Sequence, residues 1–165
     1  MSRLEGPDFH HLRAAQGWLE LGDATSADAE LERISEPARD RPEVLDTRWL
    51  IRAKTEHWPA CVEIGKTLTR IAPELAQSWI HHAYALHELK KTREAFAILS
   101  SVIDRFPAEP TIPYNLACYS CQLGDLVGAR DWLAQACKLG GAEEWKQKAM
   151  EDPDLQPLWE EPEDT

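Results

Sequence analysis

Apolar and small residues recur along this chain at two periods at once. The shorter period places Ala95, Ile98, Leu99, Val102 and Ile103 three and four residues apart, which lays one stripe along a helix face. The longer period is 34 residues. It links Ala27, Cys61, Ala95 and Ala129 in one column, Leu31, Gly65, Leu99 and Leu133 in a second, and Ile34, Leu68, Val102 and Ala136 in a third. A fourth column, Leu21, Thr55, Leu89 and Leu123, is apolar except at Thr55. Self-similarity at a fixed period of this length is the mark of a repeat architecture.

Each repeat reads as two helices of about 12 to 16 residues joined by a tight turn. Gly22-Asp23 and Gly124-Asp125 mark that turn, because glycine accepts the left-handed conformation that ends a helix and aspartate caps the next one. In the two middle repeats the turn is Glu56-His57 and Lys90-Lys91, without glycine. Pro73 and Pro107 close their repeats, since proline cannot continue a helix. Small residues at Ala15, Ala83 and Ala117, and in the Ala27 column, let paired helices approach at the close end of the usual range of about 8 to 10 Å.

Trp79, Ala83, Leu86, Ala95, Leu99 and Pro107 in the third repeat resemble the tetratricopeptide pattern, as do Asn115, Leu116, Ala117, Gly124, Asp125, Ala129 and Leu133 in the fourth. The resemblance implies an all-α fold: a right-handed superhelical solenoid of four helix-turn-helix units over residues 8–41, 42–75, 76–109 and 110–141. A capping helix and tail follow over 142–160, with 1–7 a flexible start and 161–165 a disordered end. The second unit departs from the pattern. Trp49 stands where the family has a small residue and Gly65 where it has a large one, as in a compensated swap, and Arg48 and Arg52 occupy positions usually apolar. With Pro37 early and Pro42 late, the first unit is predicted to leave through an irregular loop.

After Gly140-Gly141 the segment AEEWKQKAM predicts one more helix, as a solenoid needs an element to cover its last repeat. Trp145, Ala149 and Met150 would form its inner face, and Leu155, Leu158 and Trp159 in the returning EDPDLQPLW segment are predicted to pack. Together with YNLACYSCQLGD this tail looks like the end-of-array repeat of bacterial tetratricopeptide proteins. Trp18, Trp58, Trp79 and Trp132 fall at repeat positions and are predicted to be core.

Charge narrows the partners. With 29 acidic against 18 basic side chains the net charge is −11, which repels nucleic acid and anionic membranes alike. No run of about 18 apolar residues is present to span a bilayer, and no signal-like segment opens the chain, so a cytoplasmic protein is expected. Cys61, Cys118, Cys121 and Cys137 lie in helical contexts and are expected as free thiols.

In a solenoid of helical hairpins the first helix of each pair lines the concave side. Its inward turns supply Leu12, Gln16 and Leu19, then Asp46, Leu50 and Lys54, then Ile80, Tyr84 and His87, then Tyr114, Cys118 and Cys121. This mostly apolar stripe on an acidic protein is the expected partner-binding groove, with occupation by the chain's own tail as the alternative. Some tetratricopeptide domains clamp a partner's C-terminal carboxylate with lysine, arginine and asparagine. The matching places here hold Leu12, Gln16, Thr47, Gln77 and His81, so an apolar peptide or helix fits better.

Two kinds of feature, a cysteine pair and several histidines, invite chemistry and point elsewhere on inspection. The Cys118-x-x-Cys121 pair lies inside a helix, without the second pair or close histidines of a zinc site or the preceding strand of a thioredoxin-like motif. His10-His11 and His81-His82 are adjacent, about 100° apart on a helix, and His82 and His87 are five apart, so neither set shares a metal readily. No G-x-S-x-G, P-loop, G-x-G-x-x-G or H-E-x-x-H motif occurs. The chain is therefore expected to be a non-enzymatic adaptor or scaffold, monomeric or weakly dimeric, without cofactor or metal, binding a protein partner. A secretion-type chaperone for apolar segments of an exported protein is the alternative, and a metal or redox protein using the cysteine pair a third.

Overall fold

The computed structural model describes residues 3–160, and among them the chain is helical with no strand. The helices come in pairs: α1 (Gly6–Glu20) and α2 (Ala24–Glu32), α3 (Pro42–Lys54) and α4 (Trp58–Ile71), α5 (Ala76–Glu88) and α6 (Thr92–Val102), α7 (Thr111–Gln122) and α8 (Leu126–Leu139). α9 (Ala142–Glu151) and the short α10 (Pro157–Glu160) follow. Residues 161–165, expected as a disordered end, lie outside the described residues. The chain divides into two compact units, with the division after Ala85, inside α5.

The four hairpin turns are built alike. Gly22, Glu56, Lys90 and Gly124, at steps of 34, have φ of 82°, 58°, 64° and 87°. The following amides, of Asp23, His57, Lys91 and Asp125, reach back to Trp18, Arg52, Leu86 and Ser120 at 2.8–2.9 Å. This left-handed helix end satisfies carbonyls that the last turn would otherwise leave unpaired. Asp23 and Asp125 also cap their next helices, accepting from the amides of Ser26 and Gly128 at 2.9 Å, whereas His57 and Lys91 supply no side-chain cap. The Leu21 column sits at these turns, which leaves Leu21 and Leu123 exposed.

In the first unit, Ala27, Leu31, Ile34, Cys61, Gly65 and Leu68 are all buried, as their columns require. The swap in the second repeat is resolved through α5. A Cβ on Gly65 would lie 2.7 Å from His82 Cα, so the missing side chain admits the α5 backbone. Trp49 stacks on the neighbouring His81 at 3.8 Å with planes 5° apart. Arg48 and Arg52 are polar because they pair across to α2, with Glu32 at 3.2 Å and Asp28 at 3.1 Å. The exit from α2 is a 3₁₀ turn, Glu36–Ala38, held by Arg39 donating to the carbonyls of Ile34 and Glu32. Leu4, within the start expected to be flexible, packs into the core with Leu12, Ala15 and Leu31.

In the second unit, Ala95, Leu99, Val102, Ala129, Leu133 and Ala136 are buried. Every residue of α7 from Ile112 to Cys121 is buried, because α7 packs against α6, α8 and the 153–155 turn of the tail. Ala149, Leu155 and Leu158 anchor that tail. Met150, predicted on the inner face, is instead 70% exposed, since it points about 100° around α9 from Ala149. Trp159 is half exposed and holds on by its indole N–H, which donates to Ala149 O at 3.3 Å.

The tryptophan expectation also needs correction. Trp18 is exposed, and Trp58, Trp79 and Trp132 are half-buried. The fully buried places in the first helices are held instead by the small Ala15, Ala83 and Ala117. Trp79 donates from its ring nitrogen to the loop carbonyl of Pro73 at 2.9 Å.

Candidate binding surface

The predicted stripe meets different surroundings in the two units. In the first, Leu12 is buried in the core, Leu19 is partly buried against it, and Gln16 donates to the Thr47 hydroxyl at 3.3 Å. Ile80 is buried, while Leu50 and Tyr84 are each 39% exposed and Lys54 is in solvent. Tyr84 stands edge-on to Trp49 at 6.1 Å and beside Trp58 at 5.8 Å, and the two indoles are 6.4 Å apart. His81 packs against this group through Trp49, with its Nδ1 3.0 Å from Asp46 Oδ1 but not aligned for a hydrogen bond. The result is a rigid aromatic cluster with a polar tip, the side-chain type enriched where proteins meet partners.

In the second unit the stripe is covered by the chain's own tail. Tyr114 donates its hydroxyl to Asp152 Oδ2 at 2.7 Å, and the Cys118 thiol points to the same oxygen at 3.7 Å. His87, the last groove residue of α5, is taken up by the tail and by α6. Its Nε2 meets Asp154 Oδ2 at 2.8 Å, its Nδ1 meets the Thr92 hydroxyl at 3.0 Å, and its ring lies 4.8 Å from Tyr119. Gln122 secures the tail backbone by donating to Asp154 O at 2.8 Å. Above Tyr114 sits Trp145 at 5.1 Å, with the Lys148 ammonium over both rings at 4.7 and 4.9 Å. Such cation–ring contacts stabilise by about 0.5–1 kcal/mol at exposed sites.

Burial dominates the protonation behaviour here. It pushes the Tyr114 hydroxyl up, with the Asp152 hydrogen bond adding to it, and it pushes the Cys118 thiol up, with the Asp152 charge adding. Cys121, buried beside Leu158, is raised for the same reason, and burial takes Cys61 up to about 11. These thiols are held protonated, unlike the reactive thiolates of redox motifs. Cys137 is the one cysteine that is not buried.

Sequence reasoning missed the residues that decide which part of the stripe is open. Asp152, Asp154 and Lys148 carry the tail's contacts but fall outside the repeat. The Asp152-Pro153-Asp154 turn, two carboxylates in a segment predicted to fold back, was the available signal. Trp49, noted only as a departure, centres the aromatic cluster. His11 pairs with Glu30 at 2.9 Å. A separate apolar cleft of about 600 Å³ lies between α8, α9 and α10, lined by Leu133, Cys137, Met150 and Trp159 and bordered by Arg130 and Lys146. No helix among the described residues is long and apolar enough to cross a membrane.

By sequence, the chain matches no family model and no curated protein. By structure, it is similar to TTC0263, a thermophilic tetratricopeptide protein of Thermus thermophilus, at TM-score 0.77 and 20% identity over 92% of this chain and 81% of that one. It is also similar to MamA (residues 41 to the end) from Desulfovibrio magneticus RS-1, at TM-score 0.73 and 16% identity over 96% and 92% of the two chains. The 34-residue columns, the four matching hairpin turns and these likenesses together establish a tetratricopeptide-type, all-α fold.

Proposed function

We propose that this chain is a non-enzymatic adaptor that binds an apolar peptide or helix of a protein partner through the part of the first-helix stripe left open, centred on Leu50 and Tyr84. The observation that carries this reading is the exposure of Leu50 and Tyr84 at successive steps of one repeat position, with Trp49 and Trp58 bracing the Tyr84 ring. Apolar side chains held in place lose little entropy on binding, and a tyrosine tip adds a directional hydrogen bond. His87, Tyr114, Cys118 and Cys121, the rest of the expected groove, become available only where the tail is displaced. The net charge of −11 favours a basic or neutral partner.

The test compares immobilised full-length chains carrying Leu50→Asp with Tyr84→Ala, Val127→Asp, or Met150→Asp with Trp159→Ala, against the same lysate. Val127 is exposed and serves as a control for added charge. The expected result is loss of a specifically captured protein only with the first pair. Retention by that pair, or loss only when the α8–α10 cleft is altered, would remove the assignment.

A further inference from the structure

The Asp152–Asp154 turn does more than cover α7, because its side chains assemble a donor set. Cys118 Sγ and one oxygen each of Asp152 and Asp154 all lie within 4.8 Å of one another. The Cys118–Asp152 separation is 3.7 Å, close to the roughly 3.5 Å edge of a tetrahedral zinc site with bonds of about 2.3 Å to sulfur and 2.0 Å to oxygen. Both carboxylates are already oriented. Asp152 accepts from the Tyr114 hydroxyl at 2.7 Å and from the Asp154 amide at 3.0 Å, and Asp154 meets His87 Nε2 at 2.8 Å. Outer partners of this kind fix metal-ligating groups in place.

We propose that Cys118, Asp152 and Asp154 bind a divalent transition metal of the zinc and cobalt type, with His87 and Tyr114 as orienting partners and a fourth position left for solvent. This departs from the sequence expectation of no metal. It departs equally from a cysteine-pair site, because Cys121 lies outside the donor group and interacts with the Leu158 backbone. The donor chemistry selects the ion: a thiolate with two carboxylates suits a borderline-soft metal better than magnesium or calcium, which take oxygen alone. On binding, the Cys118 S–H bond breaks, a metal–sulfur bond forms and the proton leaves to solvent. Two carboxylates and a thiol carry a formal charge of −2; two carboxylates, a thiolate and a divalent ion carry −1. The ion thus reduces the negative charge gathered around a buried sulfur, and it joins the tail turn to α7.

Cobalt(II) is the probe, added to the full-length, reduced and metal-stripped protein while thiolate-to-cobalt charge-transfer absorption is followed. One equivalent is expected to saturate the band. Cys118→Ser is expected to abolish it, whereas Cys121→Ser, Cys137→Ser and Cys61→Ser retain it. Asp154→Asn and His87→Gln are each expected to weaken cobalt binding by about 10-fold or more, the scale of losing even an outer partner. Should Cys118→Ser fail to fold by circular dichroism, the half-buried Asp154→Asn decides alone. Absence of the band in the parent chain, its persistence without Cys118, unchanged affinity in Asp154→Asn, or dependence on Cys121 would each overturn the site.

Discussion

Tyr84 and Cys118 stand one 34-residue step apart, at the same place on the first helix of successive repeats, yet Tyr84 is 39% exposed and Cys118 only 5%. The hairpins that carry them close through the same left-handed turn. The difference comes from what each unit has beyond its repeats. In the unit that begins at Leu86, the tail brings Asp152 onto Cys118 and Tyr114, and Leu155 is sealed into the core behind it. A repeat therefore sets where a side chain points, and non-repeating chain decides whether that direction is surface.

The strongest way to break this comparison is to remove the tail's anchor. Leu155 is fully buried, so Leu155→Ala is expected to cost about 2–5 kcal/mol in denaturant unfolding. It should also make Cys118 and Cys121 react with a thiol reagent under native conditions, where the parent chain labels first at the half-buried Cys137. If stability falls while Cys118 and Cys121 stay unreactive, the tail is not what separates the two units. A smaller intervention sharpens the same point. Tyr114→Phe deletes the 2.7 Å hydrogen bond to the Asp152 carboxylate, and bonds to charged acceptors contribute about 1.5–3 kcal/mol. The ring stays to fill its space, so Cys118 labelling should rise by less than in Leu155→Ala.

The fold was legible wherever a residue's role is set by the repeat itself. The columns of Ala27, Leu31 and Ile34 are buried at all four steps, because a helix crossing demands the same size at the same place each time. Legibility failed where a contact depends on chain from elsewhere. Arg48 and Arg52 depart from the repeat because their partners, Glu32 and Asp28, stand opposite them on α2. Gly65 departs from it because the His82 backbone lies 2.7 Å from where its Cβ would be. The stripe showed the same split: its direction was readable from helical spacing, but its cover comes from Asp152 and Asp154, in a tail with no counterpart in the earlier repeats.

The turns give the finest test of whether the two units are otherwise alike, because each unit contains its own control. Glu56 in the first and Lys90 in the second hold φ of 58° and 64°, where a side chain costs about 1–2 kcal/mol relative to the right-handed region. Gly22 and Gly124 take the same conformation in the same two units, and a Cβ on either would meet nothing within 4 Å. Backbone conformation is then the main variable. Glu56→Gly and Lys90→Gly should each stabilise by about 0.5–1 kcal/mol, the gain being reduced by the extra freedom of glycine in the unfolded chain. Gly22→Ala and Gly124→Ala should each destabilise by about 1 kcal/mol. All four are read as shifts in the urea midpoint at constant slope. Matching gains at 56 and 90 would place the difference between the units outside their hairpins. Unequal gains would mean that the lysine turn carries contacts of its own, and the contrast between Tyr84 and Cys118 would then need more than the tail to explain it.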